Sequence, residues 1–270
     1  MNFATLLRRA RNSDIENNVF FKTPVQILLA ILSLTTFIVL FGWKLGAGFF
    51  AVVLVHEAGH WAMAKHYQVR TYGITMFVLA AVAPFAGPLT RREHAFVIMA
   101  GPMSAIPLSG MMLIVYAATD DIAYATIGYL ALILNMINLI PIGRLDGGRI
   151  IHHIHVSSYV TFTQYAIFTA WYSLMTITMY LWSYVYVVFF ALFGLIRTTD
   201  STSTTKYVSQ VVSSEPMHSR HTQVVMSVYV GALLLMTLLM LAGPDPEILL
   251  RNFSDAVVQN GVKFLRVGTS

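Results

Sequence analysis

Long apolar runs alternate with short polar breaks along this chain, and the breaks predict its elements. A first run, from about Val25 to Trp43, opens with Thr23 as a helix cap and Pro24 in the first turn, and closes at Lys44 and Gly46. A second follows at once, from about Leu45 to Lys65. Both have the length at which a helix rising 1.5 Å per residue crosses a hydrocarbon layer of about 30 Å. From Thr71 to Pro88 the chain stays apolar but is interrupted by Gly73, Pro84, Gly87 and Pro88, and it opens with Ile74, Thr75, Phe77 and Val78. That pattern predicts extended backbone. Extended backbone at membrane depth must be satisfied by protein or a water-filled cavity, so a re-entrant strand or hairpin is expected. Arg91, Arg92 and Glu93 are expected to return the chain to water, before a third span from about His94 to Ala118, ending at Asp120 and Asp121, and a fourth from about Ile122 to Pro141.

The flanking regions complete the expected organisation. Residues 1–24 carry Arg8, Arg9 and Arg11 beside Leu6 and Leu7 and read as a basic amphipathic segment at the membrane surface, ahead of the first span at 25–44. The second to fourth spans, with the hairpin, make up a core over 45–156. Residues 157–243 hold further spans and a polar Ser/Thr-rich loop at 197–221; Tyr159 to Ile196 is too long for one crossing and is divided near Ser173 to Tyr180. The last span runs from about Thr222 to Ala242, and 244–270 form an amphipathic tail. The fold expected is thus an all-α polytopic membrane protein of about six to seven transmembrane helices with a re-entrant β-strand or hairpin.

Composition agrees. Hydrophobic residues are 57% of the chain and charged residues 11%, with a mean hydropathy of +0.68, so the lipid bilayer is its surrounding medium. The net charge of +5 calls for no nucleic acid. Up to Arg149, ten of the Lys and Arg residues fall on one side of the four spans and only Lys44 on the other, which by the positive-inside rule makes the larger group cytoplasmic. With no cysteine, disulfides, thiol nucleophiles and Cys-based zinc sites are excluded.

Two stretches carry chemistry. Val55-His56-Glu57-Ala58-Gly59-His60-Trp61 puts two imidazoles four residues apart on one helix face, able to share one metal ion, with Glu57 beside them. In a soluble helix this short pattern is as readily incidental, but ionisable groups in a membrane helix cost roughly 2.5 to 3.5 kcal/mol each on the insertion scale and need a metal or a partner. The group lies roughly 8 to 13 Å inside Lys65, toward the cytoplasmic face. The second stretch is Asn138-Leu139-Ile140-Pro141-Ile142-Gly143-Arg144-Leu145-Asp146-Gly147-Gly148-Arg149. Asp146 could approach a metal from a neighbouring helix and complete, with His56 and His60, a three-ligand site with one open position. By itself, Asp-Gly-Gly is as well explained by turn chemistry. His152, His153 and His155 read as solvated or interfacial rather than as a further metal site.

HEAGH on a membrane helix, then Ala100-Gly101-Pro102, then the Asn138 to Gly148 stretch, together resemble the site-2 protease family of intramembrane zinc metalloproteases. The resemblance covers roughly Leu45 to Ile154. It implies a three-helix core, one zinc ion held by His56, His60 and Asp146, Glu57 as general base, and a re-entrant strand near 73–88 that pairs with an unwound substrate. Ala105 and Gly143 stand where the family often has Asn and Pro. Asn138 could hold the substrate carbonyl or the developing oxyanion, or equally make a helix–helix hydrogen bond. The implied substrate is a membrane protein with a transmembrane helix, cut to release a fragment to the cytoplasm, in a prokaryotic plasma membrane and under the control of a regulatory membrane partner. Two other classes stay open: a zinc-binding membrane scaffold, which would not need Glu57, and a metal transporter, which would need a polar path that neither 46–54 nor 124–134 supplies.

Overall fold

The computed structural model describes residues 18–77, 80–139, 145–156 and 217–267. These are mostly helical, with one small strand region. Helix α1 (Thr23–Phe41) buries a single stripe, Ser33, Phe37 and Phe41, while Ile27, Leu28, Ile31 and Leu32 stay at least half exposed. An apolar helix with a bare apolar face is what lipid, not water, will cover. The chain turns into α2 (Trp43–His66) through Gly42 alone, at φ +79°, where a side chain would be strained. Gly46 lets the helices touch: a Cβ there would stand 2.6 Å from the Phe37 carbonyl carbon. The expected spans at 25–43 and 45–65 correspond to these two helices, each shifted by one or two residues.

The expected extended stretch is a hairpin in two steps. Strands β1 (Arg70–Thr71) and β4 (Phe85–Ala86) pair antiparallel, as do β2 (Thr75–Phe77) and β3 (Ala80–Val82) nearer the tip. Between the steps three residues, Tyr72 to Ile74, face two, Ala83 and Pro84; Gly73, at φ +79°, absorbs the extra one as a bulge. Gln26 of α1 holds this kink, its Nε2 donating to Tyr72 O at 2.8 Å and to Thr75 Oγ1 at 3.0 Å. Met76 and Ala81, opposite one another, join the same core as Val52, Val53, Ile98 and Met99.

Arg91 and Glu93 are part-exposed and Arg92 exposed, and the three also begin a helix. Thr90 and Glu93 make a reciprocal capping box, so these residues are the first turn of α3 (Arg91–Met103). The expected third span is α3 followed by α4 (Ala105–Thr119), broken at Ser104. Pro102 and Pro107 each remove a backbone donor around that point, and Ser104 Oγ donates to Gly101 O and, across to α2, to Val55 O. Asp120 closes α4 in the left-handed region and Asp121 caps α5 (Ile122–Asn138) through the Ala123 N–H. Asp121 also pairs with Lys44, whose hydrogen bond holds its carboxyl below the usual carboxylate range. α5 is the central helix, buried along most of its length. Helices α6 (Asp146–Val156), α7 (Ser219–Ala242) and α8 (Pro246–Val267) complete the described chain. Tyr229 of α7 donates its hydroxyl to Leu139 O at the end of α5. α8 packs on α1 and α5, with Phe253 stacked on Phe41 and Asn252 donating to Thr126 Oγ1.

Among the described residues, Thr23–Phe41, Arg91–Thr119 and Ser219–Ala242 are long and apolar enough to cross a membrane. The expected division near Ser173 to Tyr180, most of the loop at 197–221 and the basic residues at 8–11 lie outside the described residues.

Candidate metal centre

Three buried side chains converge where α2, α3, α5 and the start of α6 meet. His56 and His60, one turn apart on α2, bring their Nε2 atoms to 3.1 Å of each other. Asp146, the first residue of α6, places Oδ2 at 3.3 Å from His56 Nε2 and 3.4 Å from His60 Nε2. No other group of three metal-competent side chains occurs among the described residues. The residue pattern explains part of the convergence: i,i+4 spacing stacks the imidazoles on one face of α2.

Each imidazole is held through its other nitrogen. His60 Nδ1 donates to the Val97 carbonyl of α3 at 2.9 Å, and His56 Nδ1 lies 2.6 Å from Asn135 Oδ1 of α5. With Nδ1 so engaged, both Nε2 atoms present lone pairs, and they do so toward a carboxylate oxygen that accepts no hydrogen bond among the described residues. Three buried electron-rich atoms at such distances repel one another unless a proton or a metal cation lies between them. Zinc fits: four-coordinate sites with bonds of about 2.0 to 2.1 Å place neighbouring ligand atoms roughly 3.3 to 3.4 Å apart. Nitrogen and carboxylate oxygen are its ordinary donors in a cysteine-free protein. The other Asp146 oxygen, Oδ1, is 3.7 Å from Arg149 Nη1.

Two glycines make the room. A Cβ on Gly59 would stand 2.8 Å from the Ala100 carbonyl carbon and closer still to its oxygen, so α2 and α3 cross backbone to backbone beside the site. A Cβ on Gly101 would strike the His60 ring, 2.9 Å from Cδ2. Thus the Gly of HEAGH and the Gly of Ala-Gly-Pro serve one contact from its two sides.

Glu57 is buried on α2 directly after His56. Asn138 is the last residue of α5 and half-buried; the amide that reaches the histidines belongs to Asn135, one turn earlier. Asn135 was not read from the sequence, although an amide inside an otherwise apolar helix was the available signal. His153, expected to be solvated or interfacial, is instead buried, and its Nε2 lies 2.9 Å from Nδ1 of His94, also buried. α6 turns that residue toward α3 because it lies two helical turns below Asp146, on the same face.

No family model matches the chain. Among curated proteins it is 32% identical over 122 residues to a protein of Mycobacterium tuberculosis provisionally named as the zinc metalloprotease Rip3, covering 40% of this chain and 31% of that one. It is 28% identical over 166 residues to the zinc metalloprotease MJ0392 of Methanocaldococcus jannaschii, covering 59% and 48%. The chain therefore spans about a third to a half of the length of the curated relatives it matches. A solved structure titled Site-2 Protease, also from Methanocaldococcus jannaschii, matches at 24% identity over 76% of this chain and 86% of that one, with a TM-score of 0.41, a superposition too loose to argue from. By sequence the chain is a relative of zinc metalloproteases, the class that its two motifs resemble, and zinc is the metal that the relatives' names give.

Proposed function

We propose that the chain is a site-2-protease-like intramembrane zinc metalloprotease, which hydrolyses a peptide bond within or near the transmembrane segment of a membrane protein and releases a fragment to the cytoplasm. The observation that carries this reading is the convergence of His56 Nε2, His60 Nε2 and Asp146 Oδ2 on one point inside an apolar helical bundle, with the buried Glu57 carboxylate on the same helix. His56, His60 and Asp146 would hold zinc. Bound there, zinc supplies a Lewis acid that lowers the pKa of water toward neutrality and polarises a carbonyl.

The protein's own groups would do the rest. Glu57 takes a proton from the attacking water and delivers it to the leaving nitrogen. Asn138, at the end of α5, donates from its amide to the substrate carbonyl. The β2–β3 pair has no third strand among the described residues. An unwound substrate segment can add to its edge, exchanging helical hydrogen bonds for ladder ones. The Lys and Arg bias of the sequence, ten up to Arg149 on one side of the expected spans against Lys44 on the other, supports a cytoplasmic side for the site. If 157–196 divides into two spans, as the sequence leads one to expect, the chain would cross a prokaryotic plasma membrane about seven times.

The test is cleavage in membranes by wild type and Glu57→Gln against a panel of tagged single-span proteins, with zinc measured on both. Wild type should cut, Glu57→Gln should be slower by about 10²- to 10⁴-fold, and both should retain one zinc. Zinc on both with equal cleavage would remove Glu57 from its role; zinc on both with no cleavage by either would favour a zinc-binding scaffold.

A further inference from the structure

We propose that Asn135 is a positioning residue of the metal centre: it fixes His56 as the tautomer protonated at Nδ1 and thereby aims the Nε2 lone pair at the metal. The inference rests on the metal reading of the site and not on proteolysis. Asn135 is completely buried one turn from the end of α5, near Leu130, Ala131, Leu132 and Met136 in the chain. An amide in such a place is costly unless both its ends are bonded. Both are. Nδ2 donates to the Ala131 carbonyl at 2.7 Å, and Oδ1 lies 2.6 Å from His56 Nδ1.

These two contacts fix which way the amide points. Were it flipped, its oxygen would face the Ala131 carbonyl oxygen at hydrogen-bond distance, two acceptors with no proton between them. With Oδ1 on the imidazole side, His56 Nδ1 must carry the hydrogen, since an amide oxygen only accepts. In the neutral imidazole Nε2 is then the unprotonated nitrogen, 3.1 Å from His60 Nε2 and 3.3 Å from Asp146 Oδ2. His60 is set the same way by the Val97 carbonyl. That second constraint is backbone and survives any substitution at Val97, whereas the constraint on His56 is one side chain and can be deleted. Asn135 is moreover the point where α5, which supplies none of the three ligands, acts on the centre. A metal-bound histidine ordinarily depends on such an outer acceptor for ring orientation and tautomer, and losing the acceptor typically weakens metal binding 10- to 100-fold.

The experiment compares purified wild type, Asn135→Leu and Asn135→Asp, reading zinc affinity by competition with a fluorescent chelator and the His56 tautomer by nitrogen NMR of histidine-labelled, metal-free protein. Asn135→Leu, of the same branching and without an acceptor, should bind zinc about 10- to 100-fold more weakly and show His56 as a tautomer mixture. Asn135→Asp, which restores an acceptor for His56 Nδ1 and, when protonated, a donor to the Ala131 carbonyl, should bind zinc more tightly than Asn135→Leu. A folded Asn135→Leu with wild-type zinc affinity overturns the proposal. So does wild-type protein whose neutral His56 carries its proton on Nε2 and not on Nδ1, a result that needs no variant to fold. Wild type that binds zinc and responds in this way, yet cleaves nothing, would leave Asn135 in its role and count only against the protease reading.

Discussion

Replacing Gly59 by alanine adds one methyl group at the place where α2 and α3 cross, and it tests whether that crossing holds the metal ligands. The new Cβ would lie 2.8 Å from the Ala100 carbonyl carbon and 3.0 Å from Gly101 Cα, and nearer still to the Ala100 oxygen. All are backbone atoms, so no side chain can rotate away; the helices must part by on the order of 1 Å to restore ordinary contact. Overpacking of this kind costs about 1 to 3 kcal/mol. Its larger effect is local. His60 follows Gly59 on α2 and is held by Val97 on α3, so separating the helices pulls it between two anchors. Metal sites tolerate ligand displacements of about 0.2 Å, and a 1 Å error at a reacting centre can cost about 10²-fold in rate. Gly59→Ala should therefore insert into membranes, lose zinc affinity at least about tenfold, and cleave about 10²-fold more slowly. The control is Gly110→Ala on α4, where a Cβ meets nothing among the described residues and alanine favours the helix. Zinc affinity and cleavage rate, measured side by side for the two variants, decide the matter. Should Gly59→Ala match Gly110→Ala in both, the close crossing does not position the centre.

Two further outcomes follow from contacts outside the ligands. Tyr229→Phe removes the hydroxyl that α7 donates to Leu139 O at the end of α5; leaving that buried carbonyl without its donor should cost about 1 to 3 kcal/mol, read as a lower melting temperature in detergent with zinc stoichiometry unchanged. Gln26→Leu deletes both hydrogen bonds from α1 to the hairpin. Amide hydrogen exchange over residues 72–77 should accelerate while α5 stays protected, and unchanged exchange there would mean that α1 does not hold the kink.

What could be read from the sequence was whatever depends on local pattern. The i,i+4 histidines predicted one face of one helix, and α2 provides it; Gly73 and Pro84 predicted broken, extended backbone, and they sit where the hairpin changes register. Capping adds to what charge predicts: Arg91 to Glu93 are part-exposed or exposed, as residues returning to water should be, and Thr90 and Glu93 start a helix there as well. What could not be read was contact between distant segments. Asn138 drew attention because it lies near Asp146 in the chain, yet Asn135, one turn away on α5, is the residue that faces His56 across the bundle. Which side of an apolar helix faces a neighbour depends on the neighbour, and α5 is buried nearly all round, so its periodicity carries no preference. The same reason hid the pairing of His94 with His153, whose partners lie on different helices.

The ligands come from distant parts of the chain, two from α2 and one from the start of α6, with the hairpin and three helices between. A metal held by all three is therefore a cross-link. It closes a long loop in a protein that has no cysteine with which to close one, and by the chain-entropy estimate for disulfides such a tie is worth on the order of 4 kcal/mol. Zinc occupancy would thus report assembly as well as chemistry: the ion can be gripped only once α3, α4 and α5 have folded back to carry α6 beside α2, so an incompletely packed bundle carries no metal centre.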